Sequence, residues 1–245
     1  DQPYPFGPSD GGSDDNLSWD SGGDQELRRQ RLRNLWTILM LSRGVPMVVA
    51  GDEFGRTQNG NNNPWALDST AMRNNYAMIA TSAPQRVGIE DGTGAVYHDN
   101  LGVFDSRDER VNPLFRFTTF LMRLRGRHAC LRQAAWGDMA VGGDDVSYLF
   151  HAPTADGSPN EGDRALAIHI DAPDDGFWVM LNMTSDPVDF RVPEVDGDRA
   201  WRRLVDTAVG AEKEDNCWPE GEGEVVSDGV AVQPWSIVVW HRSPR

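Results

Sequence analysis

Between Gln25 and Gly44 the apolar positions recur with a helical period: in QELRRQRLRNLWTILMLSRG, Leu32, Leu35, Trp36, Leu39 and Met40 fall at i, i+3, i+4, i+7 and i+8. The pattern predicts an amphipathic helix whose apolar stripe faces inward. Asp24 is placed to accept from the first orphan amides, and Gly44 can take the left-handed position that ends the helix. VPMVVA, residues 45–50, comes next; it is short, continuous and rich in valine, which predicts a strand buried on both faces. A helix followed by a buried strand predicts an α/β layer. Residues 51–111 then show no period and are rich in Asn, Gly, Pro and Thr, and a connection this long reads as a functional loop or an insertion. A second helix is predicted over 112–125, with Asn112 as cap, Pro113 at the first helical position, and Leu114, Phe117, Phe120, Leu121 and Leu124 as its inner stripe. Gly126 can end it, and Arg123, Arg125 and Arg127 suit the negative end of its dipole.

From about Cys130 the period falls to two. VSYLFH, RALAIHID, GFWVMLNM, PVDFRV, RAWRRLVD and WSIVVWH read as strands, separated by Asp, Gly, Pro and Asn turns. Short antiparallel strands with no helix between them predict a β-sandwich. The boundary is expected near residues 127–133, giving segments 1–128 and 129–245.

Charge narrows the partners. The 245 residues carry a formal charge of −15, with acids thickest in turn-rich stretches, and that balance repels phosphate backbones and anionic lipid, so nucleic acid and membrane are not expected partners. Neutral polymers remain open. Two cysteines, Cys130 and Cys217, stand far apart without a C-x-x-C partner, and His98, His128, His151, His169 and His241 show no metal-ligand spacing, so neither a disulfide framework nor a metal site is expected. The acidic DGGSDDNLSWDSGGD lacks the order of an EF-hand. Ser42 and Ser236 lack a nucleophile-elbow pattern. No cofactor is implied. The opening DQPYPFGPSDGG has neither the basic nor the apolar region of a signal peptide and reads as the middle of a loop, which predicts a piece of a longer protein.

Specific motifs carry a resemblance. SRGVPMVVAGDEFGRTQNGNNNPWALD resembles the last barrel strand and following loop of the isoamylase and glycogen-debranching family, members of the α-amylase superfamily (glycoside hydrolase family 13) that cut α-1,6 branches. YPFGPSDGGSDDNLSWD is similar to the loop before the seventh helix of bacterial isoamylases, and WRRLVDTA and VQPWSIVVW resemble their C-terminal sandwich. The resemblance implies an α+β chain made of the terminal part of a (β/α)8 barrel, its last strand and flanking helices, followed by an antiparallel β-sandwich. In such barrels the catalytic groups sit at the carboxyl ends of the strands. The family's working carboxylates lie on strands before the eighth, so the resemblance implies that the catalytic residues are upstream of Asp1. It also implies a branched α-glucan partner (glycogen, amylopectin or limit dextrin), the N-terminal part of the barrel as a second partner, self-association through uncovered apolar barrel surfaces, and a cytoplasmic setting, with secretion as the alternative.

The loop GDEFGRTQNGNNNPW offers the substrate-binding candidates. Asp52 and Glu53 adjoin a strand end, but a retaining dyad needs two carboxyls about 5 Å apart on one cleft, and neighbouring strand residues point oppositely. One acid is therefore expected to fix the loop or pair with Arg56. Asn59, Asn61, Asn62 and Asn63 match sugar hydroxyls without the desolvation cost of full charges, and Trp65 can present an apolar face to a pyranose ring; tight-turn construction is the competing use of the same Asn and Gly residues. The loop is expected to wall a glucan cleft. An alternative from another class is a non-catalytic glucan-binding or stabilising module, in which Trp136, Trp178, Trp201, Trp218, Trp235 and Trp240 include at least two exposed, coplanar rings.

Overall fold

The computed structural model describes residues 19–58, 73–81, 86–87, 95–96, 110–133, 146–154, 157–195, 197–226 and 228–244. Two compact units emerge. Among described residues one holds 19–28, 47–58, 73–81, 86–87, 95–96 and 110–119, and the other holds 29–46 and the described chain from 120 onward.

In the second unit the period-two segments form the expected sandwich. Strands β3 (Ser147–His151), β4 (Ala165–Asp171), β5 (Gly176–Asn182), β7 (Arg199–Asp206), β8 (Val225–Val226) and β10 (Ser236–Pro244) make a six-stranded antiparallel sheet in the order β3-β4-β5-β10-β7-β8. Strands β6 (Val188–Arg191) and β9 (Gly229–Val232) pair as a second, two-stranded sheet. The alternation places Trp178 and Met180 of β5, Trp201 of β7, and Val238 and Trp240 of β10 in a common core with Phe190 and Val232 from the smaller sheet. Burying these rings supplies most of the driving force for closing the two layers. Trp178, Trp201 and Trp240 are each no more than 2% exposed, and Trp218 and Trp235 are half-buried. The exposed coplanar platform required by the binding-module alternative is absent from the described residues. Trp136 lies outside them. A further hairpin pairs β1 (Arg86–Val87) with β2 (Ala95–Val96).

The first helix, α1 (Gln25–Leu41), starts as expected, with Asp24 Oδ1 accepting from Leu27 N at 3.0 Å. Gly44 adopts a left-handed φ of 101° three residues past its end. Its inward face is not the one expected. Trp36 and Met40 are buried, but Leu35 is 57% exposed and Ile38 is exposed beside it. The face packed into the second unit is polar: Arg29, Gln30, Arg33, Asn34 and Thr37 are buried. Arg29 forks onto both Glu212 oxygens, Nε to Oε1 at 2.8 Å and Nη2 to Oε2 at 3.0 Å, and Arg33 Nη1 reaches Oε1 at 2.9 Å. Gln30 and Asn34 donate to the carbonyls of Pro234 and Trp235, all at 2.7 Å. Burial lowers the Arg33 guanidinium to about 10 despite Glu212. Helical period alone cannot distinguish a stripe that packs from one left to solvent when polar partners are supplied from distant sequence.

The second helix, α2 (Pro113–Arg127), matches its reading closely. Asn112 Oδ1 accepts from the amides of Leu114 and Phe115 at 2.9 and 3.3 Å, and Leu114, Phe117, Leu121 and Leu124 are buried. Phe120 is only half-buried, and Gly126 lies inside the helix rather than beyond it. Arg125 leaves the basic end to bind the carbonyls of Met40 and Ser42 at 2.6 and 2.8 Å, and that of Gly44, tying α2 to the chain leaving α1.

VPMVVA forms no strand. Val45, Met47 and Val49 are 95%, 89% and 57% exposed, and Pro46 and Val48 are half-buried. The segment has the composition of a doubly buried strand and, among described residues, no neighbour to pair with.

Candidate functional site

The described part of the candidate loop is Gly51–Gln58. Gly51 adopts φ of 103°, a left-handed conformation that opens a 3₁₀ turn over Asp52–Phe54, and Gly55 closes it at φ of 76°. A Cβ at Gly51 would also collide with the Arg56 side chain, so glycine is required there on two grounds. The turn is held from within its own unit: Asn74 donates to Ala50 O at 3.0 Å, Asn112 Nδ2 to Phe54 O at 3.0 Å, and Thr118 Oγ1 to Glu53 O at 3.1 Å. Phe54 is buried and meets Tyr76 edge-on at 5.8 Å between ring centroids.

Within this turn the two acids serve different partners. Glu53 Oε2 folds back to accept from the Gly51 amide at 2.7 Å, fixing the loop. Asp52 is half-exposed beside Arg56, whose Nε lies 3.7 Å from Asp52 Oδ1 and whose Nη2 donates to Gln58 at 3.0 Å. Burial pushes the Asp52 carboxyl up, and the Arg56 charge opposes it. What separates the acids is the 3₁₀ turn, not the strand alternation expected from the sequence. Asn59, Asn61, Asn62, Asn63 and Trp65 lie outside the described residues.

A second constellation was invisible in sequence spacing. His128, just beyond α2, Asp175, in the β4–β5 turn, and His241, on β10, come together although 47 and 66 residues separate Asp175 from the two histidines. Asp175 Oδ2 is 2.7 Å from His128 Nδ1, Oδ1 is 2.9 Å from His241 Nε2, and the Cys130 thiol donates to Oδ2 at 3.2 Å. Burial raises the Asp175 carboxyl, but hydrogen bonds from His128, His241 and Cys130 outweigh it and hold the group well below the carboxylate range. Burial also lowers the His128 imidazole, but the hydrogen bond to Asp175 together with the charges of Asp175 and Glu220 outweighs it, leaving it raised. The Cys130 thiol is pushed far up by burial, with the Asp175 charge adding to it. The only signal for this cluster in the sequence is that His241 and Asp175 each flank a strand-like run.

Comparison with known proteins defines the class. Residues 151–234 match the family described as isoamylase, C-terminal. Over 233 residues the chain is 33% identical to isoamylase of Flavobacterium sp, covering 93% of this chain and 26% of that protein. The chloroplastic isoamylase SU1 of Zea mays is 28% identical over 211 residues, 82% of this chain and 22% of the relative. A glycogen operon protein GlgX homolog of Mycobacterium bovis is 27% identical over 201 residues, 78% and 27% respectively. The chain thus corresponds to the C-terminal portion of isoamylase-type debranching enzymes, and it spans about a quarter of the length of the curated relatives it matches.

Proposed function

We propose that the chain is the C-terminal segment of a glycoside hydrolase that cleaves α-1,6 branch linkages in glycogen or a related α-glucan. It contributes the last strand of a (β/α)8 barrel, a loop walling the glucan cleft, and a stabilising sandwich. The division between barrel and sandwich is placed at residues 128/129. The observation that carries this reading is the exposure of Val45, Met47 and Val49. A valine-rich extended segment with its side chains in solvent on one face and half-buried on the other is a strand waiting for neighbours. Leu35 and Ile38, exposed on the preceding helix, are further apolar side chains left uncovered. The remainder of the parent enzyme is the partner that covers it, and in isolation a second copy of the chain does so.

The working carboxylates belong to that remainder, and the chain alone is inactive. Asp52, Glu53 and Arg56 shape the loop, while Asn59, Asn61, Asn62, Asn63 and Trp65 supply its candidates for sugar contact. A cytoplasmic setting fits the glycogen-operon relative. The test is release of reducing ends from glycogen by the purified chain at high concentration, beside the Asp52→Asn/Glu53→Gln double variant. No release from either is expected. Release by the wild type that the double variant abolishes would overturn the assignment and return the chemistry to this loop.

A further inference from the structure

We propose that His128, Asp175, His241 and Cys130 form a zinc site that staples the segment following α2 to the sandwich, a role independent of the glucan reading. The donors come from separate elements of one compact unit: His128 and Cys130 from the connection after α2, Asp175 from the β4–β5 turn, and His241 from the central strand β10. The donor atoms of His128, Asp175 and His241 lie within 4.8 Å of one another. The Cys130 sulfur, 3.2 Å from Asp175 Oδ2, stands outside that trio and closes on the ion as it binds, supplying the fourth ligand. Two imidazoles, a carboxylate and a thiol are the donor types of closed, four-coordinate zinc sites, and they disfavour calcium and magnesium, which take oxygen.

The geometry is that of ligands held together by protons a cation can displace. A tetrahedral zinc, about 2.0–2.3 Å from each donor, sets its donors roughly 3.3–3.8 Å apart. With Oδ2 as the ligating oxygen, the His128 and Cys130 contacts at 2.7 and 3.2 Å therefore open by about half an ångström on loading, while His241, 2.9 Å from Oδ1, turns toward the ion. Both imidazoles are about nine-tenths buried, and so is Cys130. Asp175 is fixed in advance: Arg242 binds its carbonyl and that of Ala172, and reaches Asp171 Oδ1 at 2.9 Å.

The surroundings of His128 supply the second argument. Its Nδ1 faces Asp175, and its buried Nε2, which lacks a hydrogen bond among described residues, lies 3.4 Å from Glu220 Oε1. Arg127 in turn holds Glu220 at 2.8 Å. An imidazole that ligates through one nitrogen and presents the other to a carboxylate is the usual support of a zinc histidine. Loading balances simply: the Cys130 thiol proton and any second proton on His128 leave to solvent, each imidazole keeps a single N–H on the nitrogen away from the metal, and His128 then donates to Glu220.

The experiment uses the tag-free full chain, stripped with a chelator and titrated with Zn²⁺ alone, then with Co²⁺ as a spectroscopic replacement. The expected result is one zinc per chain retained through gel filtration, and a cobalt form with intense visible bands of tetrahedral geometry plus a near-ultraviolet thiolate charge-transfer band. Cys130→Ser should abolish the charge-transfer band and Cys217→Ser should leave it. Glu220→Ala should weaken zinc binding about 10- to 100-fold while keeping the tetrahedral spectrum, and His241→Ala should weaken it further. Failure of the wild-type chain to retain stoichiometric zinc, a pale octahedral cobalt spectrum, or a charge-transfer band that disappears with Cys217 instead of Cys130 would overturn the site. Because the decisive spectrum is that of the wild type, a variant that fails to fold does not protect the proposal.

Discussion

The sandwich and residues 45–49 have equally apolar sequences and opposite fates. GFWVMLNM becomes β5, paired on both sides and buried down to Phe177, Trp178, Val179 and Met180. VPMVVA stays unpaired, with Val45, Met47 and Val49 in water and Val48 half-buried. Composition predicts a strand in both places, so composition is not what differs. A strand is completed by its neighbours, and β5 has β4 and β10 within this chain while residues 45–49 have none among the described residues.

The strongest way to break the contrast is to open the closed side. Trp201→Ala removes a ring from the centre of the sandwich and the hydrogen bond from its Nε1 to Pro193 O at 2.8 Å. It should cost about 3–5 kcal/mol, read as a shift of the denaturation midpoint at unchanged slope. Glu212→Gln should be of comparable size, since Arg29 and Arg33 are buried and lose their shared anion; removing one partner of a buried ion pair costs about 3–5 kcal/mol. Loss of protection in α1 amides on hydrogen exchange would show that the damage is seated there.

An intermediate effect comes from pH. His169 lies in the core side of β4 against Trp178 and Trp201, and burial lowers its imidazole to about 4. The unfolded chain, with an ordinary histidine near 6.5, then binds the proton more readily than the folded one between pH 6.5 and 4. The His169 contribution to stability is therefore full above the upper value and declines as pH falls through that window, by roughly 3 kcal/mol at most. His169→Phe should flatten this limb; an unchanged acid profile between wild type and variant would show that the group is not held neutral.

The smallest stability effect, and the sharpest test of the exposed side, is Met47→Gln. A substitution at an 89% exposed position should move stability by less than about 0.5 kcal/mol. If, as proposed above, a second copy covers this apolar edge in isolation, self-association measured by sedimentation should nevertheless fall. A variant that loses stability while its association state is unchanged would mean that residue 47 is packed in this chain after all.

Much of the fold was legible because its rules are local. The sandwich strands follow from alternation, and the Asn112 cap and the stripe of α2 from residue type and spacing. The orientation of α1 was not legible. Its buried face is fixed by Glu212, Thr207 and the carbonyls at 234–235, and no window around residues 25–41 contains them. For the same reason the His128–Asp175–His241 cluster escaped a search for ligand spacing, which finds only sites whose ligands are near in sequence. In the candidate loop, the roles of Asp52, Glu53 and Arg56 were anticipated as loop fixation and pairing with arginine; the 3₁₀ geometry that produces them was not, because it depends on the conformations of Gly51 and Gly55.

The docking of α1 also sets a timetable. Arg29 and its carboxylate are 183 residues apart, and Gln30 and the Trp235 carbonyl 205. A ribosome adding about 5–20 residues per second needs roughly 10–40 s to make that interval. Throughout it, α1 exists as a nascent helix whose arginines must remain hydrated, beside an apolar stripe free to find other partners. Within this stretch of chain the earlier-made helix is among the last elements to be seated, and the interval is a window in which a chaperone can act on it before the sandwich does.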